Sequence, residues 1–449
     1  MKRIISAIDD TSHILEAWLP TRVELSDTPG ISVAISYKGK ILYKNGFGYS
    51  DREKGNRANT DTIYHIASIS KTFTSVAILQ LMEEGKLKLD DPVSIYVKWF
   101  KGRNKNGDIK NITIKQLLSN TSGIWRDGDT PHWVTGKFPK KLNISVRNAL
   151  IFKPSSEFKY SNYGFAILGE VIKMVSGISY EEYVQKNILD VLKLKSTYPD
   201  YKNGLRLVAS GYGRKIPGKE QEKFAHYKAN AYMSATGFLS NALDLAKYAY
   251  HLSPQSNSLL LKNNSKKKMM MSVTKTDGNE RYCLGLEVYK INKRKVFGHA
   301  GGFQGFASNI TFDPKNEIAV AVLTNEIHAP AGALGHWILQ IIYNLLDSKK
   351  DYLSQNKVDY KKYEGIYRNL WGDSVIVRAG RTLVSFNLYA HSPLQGDSKR
   401  FLVPTGKNQF TAKGGSGFHS KGERIKFTKL KNNKFQAVSF GPTVAKRVA

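Results

Sequence analysis

The chain has 449 residues, 41% of them hydrophobic, with a formal net charge of +31 and a single cysteine. That length leaves room for a large first domain and a smaller second one. No run reaches the roughly 18 to 20 apolar residues that a membrane-spanning helix needs, and one cysteine excludes an internal disulfide framework or a multi-cysteine metal site. The charge admits an anionic partner, such as a cell-wall polymer, but the basic residues are spread along the chain without a nucleic-acid motif, which disfavours nucleic acid. The start, "MKRIISAIDD", reaches acidic residues before any apolar signal core, so the sequence alone reads as cytoplasmic.

In chain order, residues 3–19 carry helical apolar spacing. "GISVAISYKGKILYKNGFGYSD" alternates on both sides of Lys38-Gly39-Lys40 and reads as a hairpin. The run after Ser68 is apolar on most positions up to Gly85, which predicts a helix buried all round. "TIKQLLSNTSG" predicts a short helix stopped by Gly123, and "SNYGFAILGEVIKMVSG" an amphipathic helix stopped by Gly177. "SYEEYVQKNIL" predicts another, and "SNALDLAKYAYHL" a helix capped by Ser240 or Asn241. Strands return in "RYCLGLEVYKI", where Cys283 is expected only to pack, then in "RKVFGHAG", "FASNITFDP" and "EIAVAVLTNE", before the helix "GALGHWILQIIYNLLDS". Strands at both ends with helices between them predict an antiparallel sheet whose termini meet, with a helical lobe against it. A polar, charged stretch follows, and the periodicity then changes to two, with about eight short strands separated by Gly, Asn, Asp or Ser turns, the pattern of a small up-and-down barrel.

Ser-x-x-Lys occurs at Ser68, Ser156, Ser265, Ser272 and Ser354. Only at Ser68 does it open a strongly apolar helix, where the spacing puts Lys71 one turn along on the same face. A helix start offers partial positive charge and free N–H groups to an alkoxide or oxyanion, and a buried lysine can lose its proton and act as a base. The ordinary alternative is a helix-capping serine. Tyr160-Ser161-Asn162 lies in a loop entering a helix: Tyr160 can relay protons and Asn162 can hold a carbonyl, or Ser161 merely caps the helix while Tyr160 packs on it. His299-Ala300-Gly301, with Gly302 and Gly305, puts glycines in a strand, which points either to close approach of a ligand or another backbone, or to a plain bulge with a surface histidine. The ten histidines show no ligand spacing, so neither a metal nor a cofactor is expected.

With "SISK", "YSN" and "HAG" in this order, the chain resembles the serine β-lactamase and penicillin-binding protein superfamily, in the branch of class C β-lactamases, D-alanyl-D-alanine carboxypeptidases, D-aminopeptidases and family VIII esterases. "LLSNTSGI", "VASGYG" and "SATGFLSNALDLAKY" add to the likeness, which covers about residues 10–348, and the tail from "YEGIYRN" is similar to a lipocalin-like barrel. The resemblance implies Ser68 as acylated nucleophile, Lys71 and Tyr160 sharing proton transfer, and Asn162 on the substrate's acyl-side amide. It also implies an oxyanion hole from the N–H groups of Ser68 and Gly302, with His299 and Gly301 beside the substrate. Two departures stand out. His299 replaces the lysine of many relatives, and an imidazole is mostly neutral at pH 7, which turns the expectation from β-lactams toward peptides and esters. Asn120 stands where relatives usually show histidine, and its role is expected to be structural.

The expected architecture is therefore α/β (α+β): a β-lactamase/transpeptidase-like antiparallel sheet with a helical lobe over residues 1–348, a linker over 349–360, and a small all-β barrel over 361–449. The expected function is a serine hydrolase acting through an acyl-enzyme on amide or ester bonds of a small-molecule or peptide substrate, with oligomers compatible with the barrel. Competing readings are a β-lactamase or a penicillin-binding receptor that acylates without turnover, and a non-catalytic module working through the barrel. Relatives of this kind are often exported, which sets the resemblance against the cytoplasmic reading.

Overall fold

The computed structural model describes residues 2–449 except 143–148, 277, 279, 348–357, 381, 396–399 and 415–420. Most of the expected linker, 349–357, and the Ser354 copy of Ser-x-x-Lys lie outside the described residues. Two compact units emerge, one of residues 27–335 and one that unites 1–26 with 336–449.

The unit of residues 27–335 is built on a nine-stranded sheet. Its strands are β1 (Gly30–Tyr37), β2 (Lys40–Asp51), β3 (Asn56–Arg57), β4 (Thr274–Lys275), β5 (Arg281–Tyr282), β6 (Glu287–Ile291), β7 (Arg294–Phe303), β8 (Phe306–Asp313) and β9 (Ile318–Thr324), in spatial order β4-β5-β6-β7-β8-β9-β1-β2-β3. Every residue of β1, β8 and β9 is buried, so these central strands are covered on both faces rather than alternating between core and solvent. β1 pairs with β9 from Ile31 opposite Thr324 to Tyr37 opposite Ile318. The β1–β2 hairpin turns at Lys38 and Gly39, both at positive φ, the backbone of the tight turn that suits twisted strands.

The expected strand "RYCLGLEVYKI" is instead split after Tyr282. Gly285 sits at φ 75 and donates its N–H to the Leu118 carbonyl, and a β-carbon there would strike Ser75 Oγ at 2.0 Å, so a turn against the central helix replaces pairing. Cys283 in that turn is buried and donates to the Met270 carbonyl.

The helical lobe centres on the helix Ser70–Glu83, whose residues from Ser70 to Leu79 are all buried. It packs with the helix Asn162–Ser176, which starts at the cap Ser161 and ends at Gly177 in the left-handed region. The short helix Ile114–Leu118 carries a capping box from Thr113 to Gln116 and stops before the expected Gly123, because Asn120 already takes a left-handed φ of 55°. Asn241 caps the helix Ala242–His251. No helix among the described residues is long and apolar enough to cross a membrane.

The second unit contains a closed eight-stranded barrel, each strand antiparallel to its neighbours in sequence from Gly365–Asn369 to Thr443–Arg447, which returns to pair with the first. Tyr363, Tyr367, Phe410, Phe427 and Phe435 fill it, and Tyr367 donates its hydroxyl to the Tyr363 carbonyl at 2.8 Å. The N-terminal helix Lys2–Leu25 belongs to this unit: Trp18 donates to the Ala390 carbonyl and meets Trp337 edge-on, and Asp9 pairs with Arg378.

Candidate active site

Between Thr62 and Leu79 every residue is buried except Ser68. It occupies a short 3-10 turn, Ala67–Ile69, that leads into the helix Ser70–Glu83. Ala67 takes φ 48, a left-handed conformation that costs a residue with a β-carbon and recurs where a side chain must be aimed. The turn is pinned from two sides: Ile66 donates to the Phe238 carbonyl, and Ser70 Oγ donates to the Ala67 carbonyl while accepting from the Phe238 N–H.

Lys71 follows one turn later and is fully buried. Its Nζ lies 3.1 Å from Ser68 Oγ, 2.7 Å from Asn162 Oδ1 and 2.8 Å from the Ala235 carbonyl, and 4.8 Å from the centroid of the Tyr160 ring. Burial pushes the ammonium well below its usual range, with Asp127 opposing the shift. Tyr160 is half-buried, and burial raises its phenol against a hydrogen bond with Ser68. Ser161, next to it, accepts from the Gly164 N–H and donates to the Trp125 carbonyl. Asn120 braces this segment: its side-chain oxygen accepts from the Ser161 N–H and its carbonyl from the Lys159 N–H.

The opposite wall is β7. Its register with β8 sets Gly301 opposite Ser308, Gly302 opposite Ala307 and Phe303 opposite Phe306. In an antiparallel ladder successive N–H groups face opposite neighbours. Ala300 directs its N–H to the Glu287 carboxylate on the β6 side. Gly302, two residues on, faces the same way, and β6 pairs with β7 only as far as Gly298. A β-carbon at Gly302 would meet nothing nearer than Ile327 Cδ1 at 3.9 Å, whereas one at Gly301 would strike the Ile66 carbonyl.

A pocket of about 250 Å³ is lined by Ser68, Asn162, Gly302, Arg126, Asp127 and Trp133, among others. His299 is not among its lining residues. It is 1% exposed, with Nε2 at 3.0 Å from the Tyr282 hydroxyl and Nδ1 at 2.5 Å from the Ala300 carbonyl. Burial lowers its pKa, so it stands neutral behind the wall. Arg126, Asp127 and Trp133 escaped the sequence reading, although "WRDGD" directly follows the "SNTSGI" stretch singled out there. Among the described residues, no group of three or more His, Cys, Asp or Glu is placed to hold a metal ion.

Protein flp of Staphylococcus aureus (strain MW2) is 32% identical over 326 residues, covering 71% of this chain and 64% of that protein, so the chain spans less than two thirds of that relative. The teichoic acid D-alanine hydrolase of Staphylococcus aureus (strain MRSA252) is 31% identical over 239 residues, 51% of this chain and 57% of that protein. The octameric penicillin-binding protein homologue from Pyrococcus abyssi superposes with a TM-score of 0.64 at 26% identity, over 96% of this chain and 99% of that one. A class C beta-lactamase shares the fold at a TM-score of 0.62 and 20% identity, over 76% and 97% of the two chains. The beta-lactamase family model matches residues 15–343, which include the turn that carries Ser68, the sheet and the pocket between them, and the chain belongs to that family.

Proposed function

We propose that this protein is an acyl hydrolase in which Ser68 is the nucleophile and Lys71 its base. The observation that carries the reading is the hydrogen-bond count at Lys71 Nζ. A neutral amine has two N–H bonds and one lone pair. The two shorter contacts, to Asn162 Oδ1 and the Ala235 carbonyl, are with acceptors and use both N–H bonds. The lone pair is left for the hydroxyl of Ser68 at 3.1 Å. Burial disfavours the charged ammonium, which supports a resting amine that can take the serine proton.

In the forward step a bond forms between Ser68 Oγ and the substrate carbonyl carbon, and the proton passes to Lys71. The oxyanion is met by the N–H groups of Ser68 and Gly302. The bond to the leaving group then breaks, and that group takes a proton relayed through Tyr160, whose raised pKa keeps it a proton-bearing phenol. Water reverses the sequence to free the acid. Asn162 orients Lys71 through its oxygen, and Gly301 lets β7 reach the nucleophile turn. The favoured substrates are small esters and D-amino-acid amides or esters, the second class supported by the relative named for teichoic acid D-alanine hydrolysis. β-Lactams stand lower, because His299 is neutral and turned into the protein.

The test is labelling with a fluorophosphonate and a fluorescent penicillin, read by mass spectrometry on wild type and Ser68→Ala. The expected result is one adduct, on the Ser68 peptide and absent from the variant. No adduct with either probe would overturn the hydrolase reading, and an adduct on another serine would overturn the site.

A further inference from the structure

Two charged side chains at the mouth of the pocket take no part in the steps above. Arg126 and Asp127 follow Trp125 on the loop after Gly123, and both line the pocket with Ser68. Asp127 is the one carboxylate among the lining residues, in a chain whose formal charge is +31. It is held on three sides: Oδ1 accepts from Asn162 Nδ2 at 2.6 Å, Oδ2 pairs with Arg126 Nε at 3.1 Å, and its backbone carbonyl accepts from the Tyr232 hydroxyl at 2.6 Å.

These contacts leave capacity. An ionised carboxylate offers about four acceptor positions, two are taken by the side-chain contacts above, and the side chain keeps 21% of its surface open. Arg126 is the weaker recognition element of the pair, because its side chain is 63% exposed and water screens it. The remaining wall is mostly apolar, from Trp133, Phe303 and Ile327, with Gln304 adding an amide side chain. A volume of about 250 Å³, below the roughly 300–1,000 Å³ of pockets for drug-sized ligands, suits a small acyl group. One side chain, that of Asn162, separates Asp127 from Lys71, since it bonds the first through Nδ2 and the second through Oδ1. An α-ammonium lies two bonds from the carbonyl carbon that Ser68 attacks, which matches a carboxylate placed one side chain from the reacting pair.

We infer that Asp127 reads an α-ammonium on the acyl group, so that the site prefers small aminoacyl esters or amides whose amine is free over the same compounds with the amine blocked. This rests on the hydrolase reading and adds a substrate class and a specificity residue to it.

The test compares three esters with one leaving group, D-alanyl, N-acetyl-D-alanyl and N-succinyl-D-alanyl, at a pH where the free amine is protonated. Wild type, Asp127→Asn, Asp127→Glu and Arg126→Gln are assayed for kcat/KM alongside Ser68 labelling. The wild type is expected to favour the free amine over the N-acetyl ester by at least about tenfold. Asp127→Asn should lower that ratio about tenfold, and Asp127→Glu should restore part of it. If Asp127 only positions Asn162, Asp127→Asn slows all three esters together and the ratio stays put, which overturns the inference. A preference for the succinyl ester that Arg126→Gln removes also overturns it, in favour of an anion-reading site. If wild type labels at Ser68 but shows no preference, the inference falls and the hydrolase reading stands. If wild type neither labels nor turns over any ester, both fall.

Discussion

A β-carbon on Gly301 would lie 2.3 Å from the Ile66 carbonyl oxygen. The strand β7 therefore meets the turn that carries Ser68 backbone to backbone, and Ser308 Oγ donates to that same carbonyl at 2.8 Å. Gly301→Ala must push one partner away. It is expected to cost about 1–3 kcal/mol of stability and to slow Ser68 labelling by at least about tenfold, since about 1.4 kcal/mol in the barrier suffices for that. Gly302→Ala, whose new methyl would find its nearest neighbour at 3.9 Å, should melt like wild type and alter only substrate use. Thermal melts and labelling rates on both variants decide the point, and a Gly301→Ala protein that labels at the wild-type rate would refute it.

The acylation rate should depend on pH through Lys71. Burial lowers its folded pKa, so above that lowered value the amine is neutral and accepts the Ser68 proton, and below it the rate falls. The unfolded chain keeps that lysine protonated up to about its ordinary value of 10.5. Between the two values the unfolded state binds more protons, and this residue's contribution makes stability rise with pH. Lys71→Arg, which stays charged throughout, should lose labelling at every pH. An arginine variant that still labels would show that the proton goes elsewhere.

A second pH dependence, of stability alone, should come from His65. Its ring lies among Tyr201, His226, Tyr227, Phe303 and Phe306, and burial pushes its pKa down to about 3, with His226 adding to the shift. Below its ordinary 6.5 the unfolded state takes a proton that the folded state refuses until about pH 3. Stability is then lost as pH falls through that window, at about 1.4 kcal/mol for each pH unit crossed. His65→Phe keeps the stacking and should flatten the acid limb in urea melts run at about pH 7 and about pH 5. His226 and His251, whose pKa values burial also lowers, leave a residual slope.

His299 should behave as a buried strut. His299→Phe removes a hydrogen-bond partner of the Tyr282 hydroxyl and is expected to cost about 1–3 kcal/mol. The ratio of KM values for a carboxylate-bearing and a neutral ester should stay at the wild-type figure, because the ring is 1% exposed. A change in that ratio with stability unchanged would instead put His299 in contact with substrate.

The fold was legible wherever one period dominated. The hairpin at Lys38-Gly39, the helix after Ser68 and the alternating barrel strands follow from residue pattern alone. The interruption after Tyr282 was hidden because its cause is tertiary: Gly285 lies against Ser75, some two hundred residues earlier in the chain. At the site, Ser68, Lys71, Tyr160 and Asn162 lie within reach of one another. The inward turn of His299 depends on Tyr282, and the acidic group on Asn162 comes from a loop with no periodic pattern, so neither could be read from spacing.

The pairing of β1 with β9 also sets a timetable. Ile31 waits for Thr324 and Tyr37 for Ile318, so the centre of the sheet cannot close until nearly three hundred further residues of chain have been made. Contacts so distant in sequence slow folding and leave a bare strand edge in the meantime. On a ribosome adding about 5–20 residues per second, the strand at Gly30 spends tens of seconds with at most β2 beside it, its other edge open to the wrong pairing that β9 later covers.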